Sequence, residues 1–287
     1  GAAHADQPTV RKACREAVRQ YVAEELGGLE TKTARFQYLF RRLVRAVEQI
    51  LDNVIEELRV SDFAPIDYEL DFSRSGDLPP VQCEDGDVSV SLSGKVDRVD
   101  GYIKNGRLYL RVMDYKSGKK SFSLSDIWYG LNMQLIIYLY ALQQEGLGRY
   151  RARLTAELNE IVPAGVLYVP VRDELPDAAR DTDEEGLRIL RDKALRRSGL
   201  LSDDMSLLEA MEHGLEGDGR FIPVSIKTRK GEDEPTLAAK SAVADLAKFG
   251  RLARYTQKKL LEMGQALRNG SIEADPRKTD RSYCEWC

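Results

Sequence analysis

The chain has 287 residues, of which 43% are hydrophobic and 31% charged, and 43 basic against 47 acidic side chains leave a formal net charge of −4. That length can bury a full core, while the near-neutral balance excludes a global positive field and leaves any nucleic-acid contact to local basic patches. No apolar run approaches the roughly 18 residues needed to span a bilayer, and the opening GAAHADQPTVRKAC lacks the basic start and apolar stretch of a signal peptide, so a cytoplasmic protein or a fragment of one is expected, without a membrane partner.

In chain order, residues 8–26 and 32–60 carry helical periodicity. In the second, Phe36, Leu39, Leu43, Val47, Ile50, Leu51 and Ile55 form one apolar stripe expected to face the core. Pro65 and the alternation in IDYELDF predict a strand over 65–73, and a loop rich in Gly, Asp and Pro leads to a second strand over 88–101, VSVSLSGKVDRVD. A third strand is predicted at 107–116 after the turn Lys104-Asn105-Gly106, and the three read as a meander. The pattern over 124–144 is helical, and PAGVLYVPV at 163–171 is the nearly continuous apolar run of a buried strand. Beyond Arg172 the chain is charged and helical to 216, with a short strand expected at FIPVSI and a final helix over 236–267. The expected fold is α/β, a mixed sheet in the order α-β-β-β-α-β flanked by helices. A helical segment (1–62), a core (63–172) and a helical C-terminal extension (173–287) would pack as one compact domain.

The strand RLYLRVMDYK ends in an unusual way. Alternate side chains share a face, so Leu108, Leu110 and Val112 lead directly to Asp114 and Lys116. Taken alone, the two charges mark a strand running out into water. The strand before it carries Asp97 in GKVDRVD, and carboxylates on adjacent strands can converge on one cation. Asp100 lies an odd number of residues from Asp97 and should point to the other face, towards surface charge or a turn. A hard cation such as Mg²⁺ takes one or two protein carboxylates and keeps several waters. Lys116, two residues beyond one such ligand, is in reach of a bound water or a phosphate oxygen. A cation together with a positive group is what phosphodiester hydrolysis requires. Gln134 and Tyr138, at i and i+4, share a helix face, with Tyr138 as plain core and Gln134 as its polar neighbour the blander reading.

The ordered set G-x-x-D-R-x-D, an apolar strand ending D-Y-K-S-G, and Q-x-x-x-Y on the next helix resembles the PD-(D/E)XK nuclease superfamily in its RecB-like branch. The text from GKVDRVD through LRVMDYKSGKKSFSLSDIWYGLNMQLIIYLYAL to PAGVLYVPV and the terminal YCEWC is similar to the AddB-type nuclease domains of bacterial helicase-nucleases that process double-strand breaks for recombination. The resemblance implies a restriction-endonuclease-like core and a Mg²⁺- (or Mn²⁺-) dependent deoxyribonuclease of exonuclease type. It assigns Asp97, Asp114 and the backbone carbonyl of Tyr115 to the metal, Lys116 to catalysis, and Gln134 and Tyr138 to DNA contact and support of the site. It also implies a single-stranded or unwound DNA end as substrate and an AddA-type helicase-nuclease subunit as partner.

Two departures stand out. The family's histidine-bearing helix has no counterpart, because the only upstream histidine, His4, lies in a segment without the pattern. The family's [4Fe-4S] cluster uses one upstream cysteine and three in a C-x₂-C-x₅-C run. Cys284 and Cys287 match only the first two of those three, Cys14 and Cys83 match neither missing position, and the cluster is expected to be incomplete. Lys119, Lys120, Arg149, Arg151 and Arg153 are candidate contacts to a DNA backbone. Trp128 and Tyr129 are expected to pack along their helix, with base stacking as the alternative. A DNA-holding or subunit-docking module with a weakened site is the competing functional reading.

Overall fold

Side-chain oxygens of Asp6 and Thr33 each accept a backbone N–H three residues on, and a helix starts after each. The computed structural model describes residues 6–118, 120–171, 178–179, 181–227 and 235–273. The elements run α1 (Gln7–Glu24), α2 (Ala34–Arg59), β1 (Ala64–Phe72), β2 (Val81–Asp85), β3 (Val88–Leu92), β4 (Gly94–Lys104), β5 (Arg107–Lys116), α3 (Leu124–Trp128) and α4 (Gln134–Leu154). They continue with β6 (Glu160–Pro170), α5 (Glu184–Leu195), β7 (Ser198–Ser202), α6 (Met205–Met211), β8 (Ile226–Lys227), β9 (Thr236–Leu237), β10 (Val243–Ala244) and α7 (Leu246–Arg268). None of the described helices is long and apolar enough to cross a membrane.

Six strands form one mixed sheet in the order β1-β4-β5-β6-β7-β10. β1, β4 and β5 pair antiparallel. The two-residue turn between β4 and β5 places Asn105 and Gly106 both at positive φ, as the right-handed twist of a tight hairpin requires. β6 then returns parallel to β5 by the crossover through α3 and α4. One face of the sheet, with Val99, Leu108, Leu110 and Val112, is covered by Leu135, Tyr138, Leu139 and Leu142 of α4. The other, with Met113, Leu167, Val169 and Leu201, is covered by Phe63, Leu208, Met211 and Ile222.

The structure departs from the sequence pattern at definite residues. The strand expected over 88–101 is interrupted at Ser93, so β3 closes a separate hairpin with β2 while β4 enters the main sheet. The helix expected over 124–144 is broken into α3 and α4, because Gly130 and Asn132 adopt positive φ. A Cβ at position 130 would lie 2.3 Å from the Met263 side chain of α7, so that turn is held against the last helix. That helix starts at Leu246, capped by Asp245, and not at 236. The apolar stripe of α2 reaches the core only in its second half: Ala46, Ile50, Val54 and Ile55 are buried, whereas Leu39 is 51% and Leu43 56% exposed.

Asp100 points away from Asp97 as alternation demands, but it meets no surface charge. It is fully buried between Arg98, whose Nε and Nη2 donate to it at 2.6 and 2.7 Å, and Arg111, whose Nη2 lies at 2.8 Å. Arg111 also reaches Glu57 of α2 at 3.1 Å, and Arg197 holds the other Glu57 oxygen at 2.8 Å. Three guanidiniums thus face two carboxylates. Part of the excess positive charge lies over rings, Arg111 at 5.2 Å from the Phe63 centroid and Arg197 at 5.4 Å from Phe221. Burial pushes the Glu57 carboxyl up, but Arg197, Arg111 and Arg98 outweigh it and hold the group at about 2, down from 4.5. A depressed carboxylate contributes stability above its unfolded value and loses it as pH falls through the folded one. We therefore expect acid destabilisation between pH 4.5 and about 2 that Glu57→Gln blunts. Glu57→Ala, which strands buried guanidiniums, should cost about 3–5 kcal/mol in denaturant unfolding at neutral pH.

Candidate active site

The ladder between β4 and β5 ends with Arg98 opposite Met113. One residue further, on the α4 side, the same register sets Asp97 against Asp114. The backbone N–H of Tyr115 donates to Asp97 Oδ2 at 2.7 Å and fastens that carboxylate across the gap. β5 does not run out into water here. Its parallel pairing with β6 continues through Lys116 opposite Pro170, and the Lys116 carbonyl accepts from the Val171 N–H at 2.9 Å. Asp114 is accordingly only 4% exposed, where a strand-end residue in solvent had been the bland expectation.

Lys116 Nζ lies 2.6 Å from Asp114 Oδ2, yet that oxygen receives no hydrogen bond of acceptable angle. Burial pushes the Asp114 carboxyl above its ordinary range, and the nearby Asp97 charge adds to this, while Lys116 and Lys120 pull the other way. The net direction is upward. The site therefore holds a buried acid whose charge Lys116 offsets only in part.

Gln134 is the exposed first residue of α4, and Tyr138 follows one turn later with its ring stacked on Phe72 at 5.4 Å. Tyr138 is thus part of the core, and its hydroxyl lies over Gly94 at the start of β4, where an added Cβ would come within 2.1 Å of it. Glycine is needed at this position for space.

Lys120 donates to Asn132 Oδ1 and sits 5.9 Å above the ring of Tyr168, the β6 residue paired with Asp114. Asn132 in turn donates to Asp126 Oδ2 of α3 at 2.6 Å. Tyr168 is pushed up to about 12, by burial first and then by the charges of Asp114 and Asp126. Sequence reading missed Asn132, Asp126 and Tyr168. The parallel register of β6 brings in Tyr168 and the break between α3 and α4 brings in the other two, and the sequence pattern marks neither.

The remaining candidates among the described residues are not gathered around the two acids. Arg149 and Arg153 both bind Asp67 of β1, Arg149 also meets Asp77, and Arg151 donates to the Leu158 carbonyl at 2.6 Å. They lie some four turns along α4 from Gln134, about 20–30 Å at the helical rise. Lys119, Cys284 and Cys287 fall outside the described residues, as does His4. Cys14 and Cys83 are buried free thiols on α1 and β2. Trp128 and Tyr129 are 64% and 43% exposed, with Trp128 stacked at 5.2 Å on Tyr255 of α7 and not sunk along its own helix.

Residues 2–287 match the model of the PD-(D/E)XK nuclease superfamily. Among curated relatives, an ATP-dependent helicase/deoxyribonuclease subunit of Ruminiclostridium cellulolyticum is 34% identical over 96% of this chain and 24% of its own length. Proteins of the same name from Acetivibrio thermocellus and Clostridium novyi are 32% and 33% identical, each over 96% of this chain. The chain spans about a quarter of the length of these relatives.

An acid whose folded pKa is raised binds its proton more tightly in the folded state, so its share of stability is present below the unfolded pKa and lost as pH rises through the folded one. Without divalent cation, Asp114→Asn should melt above the parent chain at neutral pH, and the gap should close as pH falls below the ordinary aspartate range. Thermal melts in chelator across pH check this, and a variant melting lower at neutral pH would contradict it.

Proposed function

This chain belongs to the PD-(D/E)XK nuclease superfamily, and from that premise we propose that it is the divalent-cation-dependent deoxyribonuclease portion of a helicase-nuclease. Supporting this most directly is one observation: the buried, poorly satisfied Oδ2 of Asp114 beside Asp97 at the end of the β4–β5 ladder. Among the described residues no group of three or more His, Cys, Asp and Glu side chains gathers as a metal site. The cation would rest on Asp97, Asp114 and a main-chain oxygen, a donor set suited to Mg²⁺ or Mn²⁺ with retained waters. In an extended strand the N–H and C=O of one residue point to the same neighbour, so the Tyr115 carbonyl faces the β4 side with the N–H that holds Asp97.

When bound, the cation supplies Lewis-acid polarisation of a phosphoryl oxygen and an acidified water. The chain's own groups do the rest. Asp97 and Asp114 hold their carboxylates on rigid strands, with Asp97 oriented by the Tyr115 N–H. Lys116 holds its ammonium 2.6 Å from Asp114 Oδ2, where it would neutralise charge on a phosphate beside the acids. Gln134, exposed at the start of α4, would meet the DNA, and Tyr138 would support the β4 end of the site. The relatives' name, which joins helicase and deoxyribonuclease and calls each protein a subunit, supports DNA as substrate and a companion of AddA type as partner.

Cleavage of single-stranded DNA with and without Mg²⁺ tests this. Asp114→Ala should abolish cation-dependent cleavage. Lys116→Ala should keep cation binding and lower the rate by about 10²–10³, the usual loss for one preorganised charge contact. Full activity in both variants, or loss accounted for by unfolding, would contradict the assignment.

A further inference from the structure

We propose that the cleft between α3, the β7–β10 edge and α7 is a base-stacking subsite for single-stranded DNA, a placement that rests on the nuclease reading of the neighbouring acids. The cleft has a volume of about 340 Å³ and an apolar wall that includes Ile127, Leu200 and Leu252. That volume lies in the range of ligand sites, roughly 300–1,000 Å³.

Its mouth is aromatic. Trp128 stacks at 5.2 Å and within 5° of parallel on Tyr255, and the Tyr255 hydroxyl donates to the Trp128 carbonyl at 2.5 Å. The indole is therefore held in one orientation with its other face turned outward, at 64% exposure. A large ring immobilised yet left in water is unusual for a residue whose task is packing. Tyr129, also exposed, adjoins it.

The rim is basic. Lys248 and Arg251 line the cleft from α7, both exposed and one turn apart, with Lys248 at 3.0 Å from Asp245. A flat aromatic face beside cations suits a strand whose bases are unstacked and whose backbone is anionic. An apolar polypeptide would leave the cations unused, and a duplex hides its base faces.

The cleft is also tied to the acids. Asp126, two residues before Trp128, holds Asn132, which holds Lys120 over Tyr168, the strand partner of Asp114. That chain of contacts links the turn carrying Trp128 to the strand position beside Asp114.

The chain has two tryptophans, so Trp286→Phe leaves Trp128 as the sole emitter. In chelator, an oligo-dT should quench its emission, and an abasic oligomer of equal length and charge should bind weakly without quenching. Trp128→Ala should raise Kd, and KM for cleavage, about 5- to 150-fold, the size of one lost base stack. Its kcat at saturating DNA should stay near the parent value, and Trp128→Phe should recover most of the affinity. Equal quenching by the abasic oligomer, no quenching by oligo-dT, or a KM indifferent to Trp128→Ala would overturn the proposal. So would self-association in sedimentation that Trp128→Ala abolishes, which would make a second copy the occupant. A chain that binds oligo-dT through Trp128 but never cleaves would refute the nuclease reading and leave the subsite standing.

Discussion

The register between β4 and β5 is the constraint on which the site depends, and the two faces of the sheet specify it by opposite chemistry. Towards α4 the paired strands present Val99, Leu110 and Val112; towards α2 they present Arg98, Asp100 and Arg111. A slip of one residue would flip a whole strand, driving guanidiniums into the apolar layer and valines among buried ions. Neither face tolerates the exchange. Asp97 and Asp114 are the next residues on the apolar face, so the correct register brings two acids together at the point where the apolar layer ends. The buried ionic cluster thus acts as a register lock for a site on the opposite face, and Arg98 extends it to the Tyr115 hydroxyl at 3.4 Å, directly behind the strand end.

The same arrangement sets stability against chemistry. Asp114 is taken out of water by the parallel pairing with β6 and held beside a second carboxylate, both of which disfavour its charge. Lys116 offsets this only in part. The strands that carry this burden are packed on both faces of the sheet.

Much of this was legible in the sequence because it follows from period and spacing. Alternation alone placed Leu108, Leu110, Val112 and Asp114 on one face and sent Asp100 to the other, and the structure agrees on both. What alternation could not tell was the environment of the second face. Asp100 was sent to the other face and expected to meet surface charge or a turn there, and only the arrival of Glu57 from α2 and Arg197 from far along the chain makes that face an interior. The breaks were illegible for a different reason. Gly130 and Asn132 sit in an otherwise helical pattern, and the need for a turn comes from α7, more than a hundred residues downstream. The α2 stripe erred in the other direction: its periodicity is real, but nothing among the described residues buries Leu39 and Leu43. The Arg149 to Arg153 run offered candidate contacts to a DNA backbone, and the sequence did not show that Arg149 and Arg153 pair with Asp67 of β1.

Whether the two acids share one cation is decided most directly by Mn²⁺ titration followed by electron paramagnetic resonance, on the parent chain and on Asp97→Asn and Asp114→Asn. The register predicts one tightly held Mn²⁺ per chain, lost in either variant while the fold persists. Retention of that ion in both variants would contradict it.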